Sequence, residues 1–318
     1  MNYGFGVDLG GTTAKIAYFD QTGLMLNKWE IPTNLSDCGK QILPDITKSI
    51  LDFLAENKIP RENILGIGIG VPGPVDAKNV VNRCENLGWG VFDVAQVITD
   101  LTGLPAKAGN DATLAALGEC WKGSGESYEN MVLVTLGTGV GGGIVVDGKP
   151  LHGTTGAAGE IGHMVLRREE TTPCGCGKFG CAEQYCSATG IVRTAKAYLQ
   201  AHSAVSALTE TEHLTCKAIF DAAKQGDWAA LEILETVYDD LAMLIANLCN
   251  TLDPQIVLLG GGVSKAGHVL LEGIGRHLPK YIFHACSHVK LGLAALGNDA
   301  GAYGAFKLIL DSTAPITP

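Results

Sequence analysis

One short pattern is written twice in this chain. Tyr3–Leu9 reads as a strand, Gly10-Gly11-Thr12-Thr13 as a tight turn and Ala14–Phe19 as a second strand. About 128 positions on, Met131–Leu136, the turn Gly137-Thr138-Gly139 and Gly142–Val146 repeat it, and Asp147-Gly148 then makes a hairpin turn. A chain that spells strand, Gly/Thr turn, strand at both places suggests two domains of like topology facing each other. Its 318 residues are enough for two domains of ordinary size.

The rest of the pattern is mixed α/β. Thr22-Gly23 turns into a third strand, Leu24–Ile31. Ile42, Leu43, Ile46, Ile50, Phe53 and Leu54 then recur at helical spacing. Ile64–Gly70 is a buried strand broken by Pro72-Gly73-Pro74, and Ala112–Trp121 is a short helix. Ala229–Leu252 is a long amphipathic helix stopped by Asp253-Pro254. Ile256–Leu259 is a strand that runs into Gly260-Gly261-Gly262, and Asp299–Leu310 is a closing helix.

Hydrophobic residues at 46% and charged residues at 18% mean a folded globular chain. A net charge of −10 argues against nucleic acid as a partner, since phosphate neutralisation needs a basic face. The first residues have neither a basic start nor a long apolar run, so no leader is expected. Ten cysteines scattered along such a chain fit a reducing cytoplasm. No stretch approaches the roughly 20 apolar residues of a membrane span.

Three Gly-rich turns can present clustered backbone N–H donors to phosphate: Gly10–Thr13, Gly137–Gly139 and Gly260–Gly262. Each taken singly is also an ordinary turn. No G-x-x-x-x-G-K-[ST] occurs. The G-x-G-x-x-G matches at Gly68, Gly70, Gly73 and at Gly137, Gly139, Gly142 do not open helices, which excludes a dinucleotide fingerprint. Asp8 closes an apolar strand beside the first turn. A buried carboxylate needs a partner, and hydrated Mg²⁺ near phosphates would supply one, with the Thr12 and Thr13 hydroxyls alongside.

Residues 159–183 gather His163, Cys174, Cys176 and Cys181, with Glu160 and Glu183 near the ends. Four Cys and His donors fill the tetrahedral shell of a structural Zn²⁺, and a closed shell leaves no place for a reactive water. The segment reads as a zinc-clamped loop whose carboxylates serve another purpose. Buried apolar thiols, a Cys176–Cys181 disulfide and Cys186 as a replacement ligand remain open alternatives. Asn110-Asp111 opens a helix. Capping accounts for residues of this type there, yet an Asp so placed can also accept a hydroxyl proton. Asn86, Asn110, Asp111, Glu160 and Glu183 together form a set of amides and carboxylates suited to vicinal hydroxyls, and His163 can serve metal and hydroxyl through different nitrogens.

Asp8-Leu-Gly-Gly-Thr-Thr, Gly70-Val-Pro-Gly-Pro-Val, Gly109-Asn-Asp, Leu136-Gly-Thr-Gly-Val-Gly-Gly-Gly, Gly159-Glu-Ile-Gly-His and Cys174-Gly-Cys-Gly-x-x-Gly-Cys-x-Glu resemble the ROK family of sugar kinases and repressors over nearly the whole length. The resemblance implies a two-domain actin-like ATPase (ribonuclease H-like) fold with a cleft between the domains. It implies a small α/β domain of 1–109 plus 299–318 and a large α/β domain of 110–298 carrying the zinc loop. Asp111 would be the general base. Gly73, Asn86, Asn110, Asp111, Glu160, His163 and Glu183 would contact a sugar. Asp8, Gly10, Gly11, Thr12, Thr13, Lys15, Gly137, Thr138, Gly139, Gly260, Gly261 and Gly262 would contact the nucleotide. His163, Cys174, Cys176 and Cys181 would bind structural Zn²⁺. The implied reaction is phosphorylation of glucose at its 6-hydroxyl by ATP with Mg²⁺, the first step of glycolysis, by a cytoplasmic homodimer. Kinases of mannose, fructose or N-acetylmannosamine are alternatives, as is a sugar-responsive regulatory protein. The family's repressors carry a DNA-binding segment ahead of the first phosphate turn, and the start of this sequence leaves no room for one.

Overall fold

The computed structural model describes residues 2–202, 206–210 and 213–313. The strands are β1 (Tyr3–Leu9), β2 (Thr13–Asp20), β3 (Met25–Pro32), β4 (Ile64–Val71), β5 (Val80–Val81), β6 (Phe92–Asp93), β7 (Ala106–Asn110), β8 (Met131–Leu136), β9 (Val140–Val146), β10 (Lys149–Pro150), β11 (Ile256–Gly260) and β12 (Lys290–Leu293). The α-helices are α1 (Ser36–Gly39), α2 (Ile42–Glu56), α3 (Val94–Thr102), α4 (Asp111–Lys122), α5 (Glu183–Cys186), α6 (Ala188–His202), α7 (Cys216–Lys224), α8 (Trp228–Leu252), α9 (His268–His277) and α10 (Ala300–Thr313).

The repeat seen in the sequence is a repeat of sheets. One five-stranded sheet has the order β3-β2-β1-β4-β7, and the other has β10-β9-β8-β11-β12. In the first, β1 runs antiparallel to β2 and parallel to β4, which is parallel to β7. In the second, β11 is parallel to both β8 and β12. The strands follow the predicted apolar runs. β7 and β12 were not predicted: Ala106-Lys-Ala-Gly-Asn and Lys290-Leu-Gly-Leu have weak strand propensity, and their pairing with β4 and β11 makes them strands.

Packing divides the chain into two units. One holds the chain up to Glu129, Gly143–Gly159 and the chain from Ala295 onward; the other holds Asn130–Gly142 and Glu160–Ala294. These bounds differ from the expected 109/110 and 298/299, and α4 is the reason. It packs on α10 so closely that a Cβ on Gly304 would lie 1.7 Å from the Leu114 carbonyl oxygen, and one on Gly118 2.2 Å from that of Ala300. The fully buried Glu119 of α4 also accepts N–H bonds from Ala295 at 3.0 Å and Leu296 at 2.7 Å. A Cβ on Gly143 would likewise lie 2.4 Å from the Ala112 carbonyl oxygen of α4, and residues 110–129, 143–159 and 295–298 therefore go with the first unit.

In that unit one face of the sheet, with Phe5, Val7, Ile16, Ile67 and Ile69, packs in a core with Ile42, Ile46 and Ile50 of α2. The other face, with Ala17 and Phe19, meets Ala302, Phe306 and Ile309 of α10. In the second unit α8 is started by Asp227, whose carboxylate accepts the Ala230 N–H at 3.0 Å. It stops at Asp253, which takes the left-handed conformation (φ 47°) ahead of Pro254. Among the described residues no helix is long and apolar enough to cross a membrane.

Candidate active site

The registers bring the predicted residues of the first unit together. Asp8 of β1 pairs with Gly70 of β4, and Gly70 pairs with Gly109 of β7. The turn after β1 and the start of α4 therefore leave the sheet at neighbouring carboxyl ends of parallel strands, the edge where α/β sheets bind ligands. The Gly10–Thr13 turn closes with a Gly10 N–H to Thr13 oxygen bond of 2.9 Å. Thr33, at the end of the neighbouring hairpin, holds it twice: its N–H donates to Thr12 oxygen and its hydroxyl to Gly10 oxygen, both at 2.8 Å. Gly11 and Thr12 are exposed.

Asp8 has a partner within the protein. Lys15 lies opposite it in the β1/β2 register, with Nζ 3.6 Å from the carboxylate. Burial raises the Asp8 pKa, with Lys15 opposing that shift. The carboxylate is thus satisfied without an ion, and a Mg²⁺ site there does not follow from its burial.

Asn110 caps α4: its side-chain oxygen accepts the Thr113 N–H at 3.0 Å. Its amide nitrogen donates to Gly73 oxygen at 3.1 Å and to Asp111 Oδ1 at 3.0 Å. The Ala112 N–H reaches the same Oδ1 at 2.8 Å. Capping and a positioned carboxylate are therefore both present, without a capping box. Asn86 is exposed in a loop closed by two bonds between the Cys84 and Trp89 backbones, and the Trp89 indole donates to Gly39 oxygen at 3.1 Å. Burial raises the Cys84 thiol pKa and the Asp111 charge adds to it, so this loop begins near Asp111.

In the second unit β8 and β11 end side by side, with Thr135 opposite Gly260. The Gly137–Gly139 turn and the Gly260–Gly262 loop consequently share one sheet edge. Gly261 has φ +80°, and a Cβ there would lie 2.5 Å from the Leu136 carbonyl oxygen, so only glycine suits the position.

The cysteine segment lies against the first of these loops. His163, Cys174, Cys176 and Cys181 put one ligand atom each within 4.8 Å of one another. The three thiols and one imidazole belong to the donor types of a closed tetrahedral site. His163 Nδ1 is 3.9 Å from Cys174 Sγ, and its Nε2 is 3.8 Å from Glu160. The Cys176 and Cys181 sulfurs are 3.7 Å apart and unbonded, so the disulfide alternative fails; Cys186 is fully buried and outside the cluster. Burial raises the Cys174 and Cys181 thiol pKa values, whereas the backbone N–H at Lys178 lowers that of Cys176. Glu183 spans cluster and turn: Oε1 is 3.7 Å from Cys174 Sγ, and Oε2 accepts the Val140 N–H at 3.1 Å.

The sequence profile of the ROK family matches residues 4–312. The chain belongs to the ROK family. A glucokinase of Halalkalibacterium halodurans is 43% identical to it over 94% of this chain and 92% of its own. A glucokinase of Thermotoga maritima is 34% identical, with 96% of each chain covered. The crystal structure of a ROK family glucokinase from Streptomyces griseus in complex with glucose and AMPPNP superposes with a TM-score of 0.75 at 30% identity, covering 96% of this chain and 99% of that one. The paired five-stranded sheets are those of the actin-like ATPase fold of ROK sugar kinases.

Sequence reasoning missed Thr33, Ala188 and Thr189, which hold the two turns, and Ser187, which bonds to Thr189 and Gly190 beside them. The first three leave a weak signal because each acts through a contact distant in sequence. The Glu183-x-x-x-Ser187 spacing was readable, since the Ser187 hydroxyl donates to Glu183 oxygen one helical turn back at 2.7 Å.

Proposed function

We propose that this chain is an ATP-dependent glucokinase that transfers the γ-phosphoryl group of MgATP to the 6-hydroxyl of glucose. The observation that carries the reading is the setting of Asp111. It stands on the first turn of α4, fixed by Asn110, at the strand edge that also bears the Gly10–Thr13 turn. The glucokinase relatives supply the substrate class.

In this reading the sugar meets Gly73, Asn86, Asn110, Glu160, His163 and Glu183, and Asp111 takes the 6-hydroxyl proton as the oxygen attacks in line. Backbone N–H groups of the Gly10–Thr13 and Gly137–Gly139 turns hold the phosphates as charge spreads, with Lys15 and Thr138 beside them. Gly260–Gly262 accompanies the adenosine. Mg²⁺ bound with the nucleotide would neutralise phosphate charge, and Asp8 is the carboxylate at that turn. His163, Cys174, Cys176 and Cys181 would hold Zn²⁺, which their donor set fits; bound there, it would order the segment bearing Glu160 and Glu183 without taking part in the transfer. A homodimer completes the proposal.

Replacing Asp111 tests it. General base catalysis is worth about 10² to 10⁴ in rate, so Asp111→Ala is expected to lose that in kcat while glucose still binds. A kcat near that of wild type removes Asp111 from the role. A hexose panel ranked by kcat/KM tests the sugar: glucose first supports the reading, and mannose, fructose or N-acetylmannosamine first replaces it.

A further inference from the structure

The Gly137–Gly139 turn makes its side contacts with the segment that follows the cysteines. The Ala188 N–H donates to Gly137 oxygen at 2.8 Å. The Thr189 hydroxyl donates to Thr138 oxygen at 2.8 Å, and Glu183 accepts from Val140 just past the turn. The Ser187 hydroxyl stands 2.9 Å from that of Thr189 and accepts the Gly190 N–H at 3.0 Å, which fixes the start of α6. A Cβ on Gly139 would lie 2.3 Å from Glu183 Oε2, so turn and carboxylate are in direct contact. Every carbonyl so engaged turns its peptide N–H toward the opposite side, where a phosphate would be met.

We infer that Thr189 is a positioning residue for nucleotide phosphate, and that the ion held by His163, Cys174, Cys176 and Cys181 tunes nucleotide affinity as well as sugar affinity. The coupling runs from Cys174 through Glu183 to Val140, and along α5 to Thr189 and Thr138. This rests on the kinase reading above. It goes beyond it, because a loop that only orders sugar carboxylates leaves nucleotide binding indifferent to the metal.

The test uses the full-length protein and titrates AMPPNP and glucose separately by calorimetry, with metal content measured alongside. Thr189 is exposed, so Thr189→Val removes a hydroxyl without disturbing a core. One neutral hydrogen bond sets the scale: AMPPNP affinity is expected to fall about 3- to 10-fold, with glucose affinity and zinc content unchanged. Thr189→Ser, which keeps the hydroxyl, restores AMPPNP affinity. Chelator-stripped wild type is expected to lose affinity for both ligands and to regain both on addition of Zn²⁺. AMPPNP affinity that is unchanged by Thr189→Val, or by stripping the metal, overturns the inference while leaving the kinase intact. Wild-type protein that binds no AMPPNP at all overturns the kinase reading and the inference together.

Discussion

The two Gly/Thr turns occupy equivalent places in like sheets, yet they are secured by different means. Gly10–Thr13 is held from within its own sheet, by Thr33 at the end of β3. Gly137–Gly139 is held from outside its sheet, by Glu183, Ala188 and Thr189 on a segment that gathers four metal-type donors. A duplicated pattern thus carries two kinds of support. The first depends on a folded hairpin, and the second on whatever orders the cysteine segment.

Loss of the metal site should separate the turns most strongly. Structural Zn²⁺ contributes on the order of 10 kcal/mol in small zinc domains, so Cys176→Ser is expected to lose zinc and to destabilise the 160–190 segment. Amide exchange should accelerate across 137–140 and 183–190 and stay unchanged across 10–13. Equal acceleration at both turns would break the comparison.

Glycine replacements sharpen it. At Gly139 an added methyl drives the Glu183 carboxylate off the Val140 N–H, so Gly139→Ala is expected to cost about 1 to 3 kcal/mol by denaturant titration and to weaken nucleotide binding. At Gly11 nothing lies within 4 Å of such a methyl. Gly11→Ala should keep its stability within about 0.5 kcal/mol and raise the KM for ATP alone.

The smallest expected effect is confined to acid. Glu170, bonded by the Tyr185 hydroxyl at 2.7 Å and then by backbone and Arg193, has its pKa lowered from 4.5 to about 2. A depressed carboxylate stabilises the fold above its unfolded pKa, and that contribution is lost as pH falls through the window from about 4.5 to about 2. Glu170→Gln should flatten the fall of Tm in that window and leave the Tm of the Gly10–Thr13 unit unaffected, if the units melt separately.

Local chemistry was readable from sequence, and contacts between distant segments were not. Apolar runs bounded by glycine turns gave β1, β2, β4, β8 and β11, and residue type and spacing gave the four metal-type donors. Asn110-Asp111 was recognisable as a helix start. β7 and β12 escaped because pairing, rather than composition, makes them strands. Lys15 was placed with the nucleotide contacts, yet its pairing with Asp8 needs the register across the turn. Thr33 and Thr189 were out of reach, because a hydroxyl that holds a carbonyl 23 or 51 residues away leaves no local mark.

The most direct test of the whole account is to incubate the purified protein with MgATP and glucose and follow ADP and the sugar product together. The account predicts ADP release that depends on glucose and one glucose 6-phosphate formed per ADP. ADP release indifferent to glucose, or a phosphorylated product modified at another hydroxyl, would contradict it.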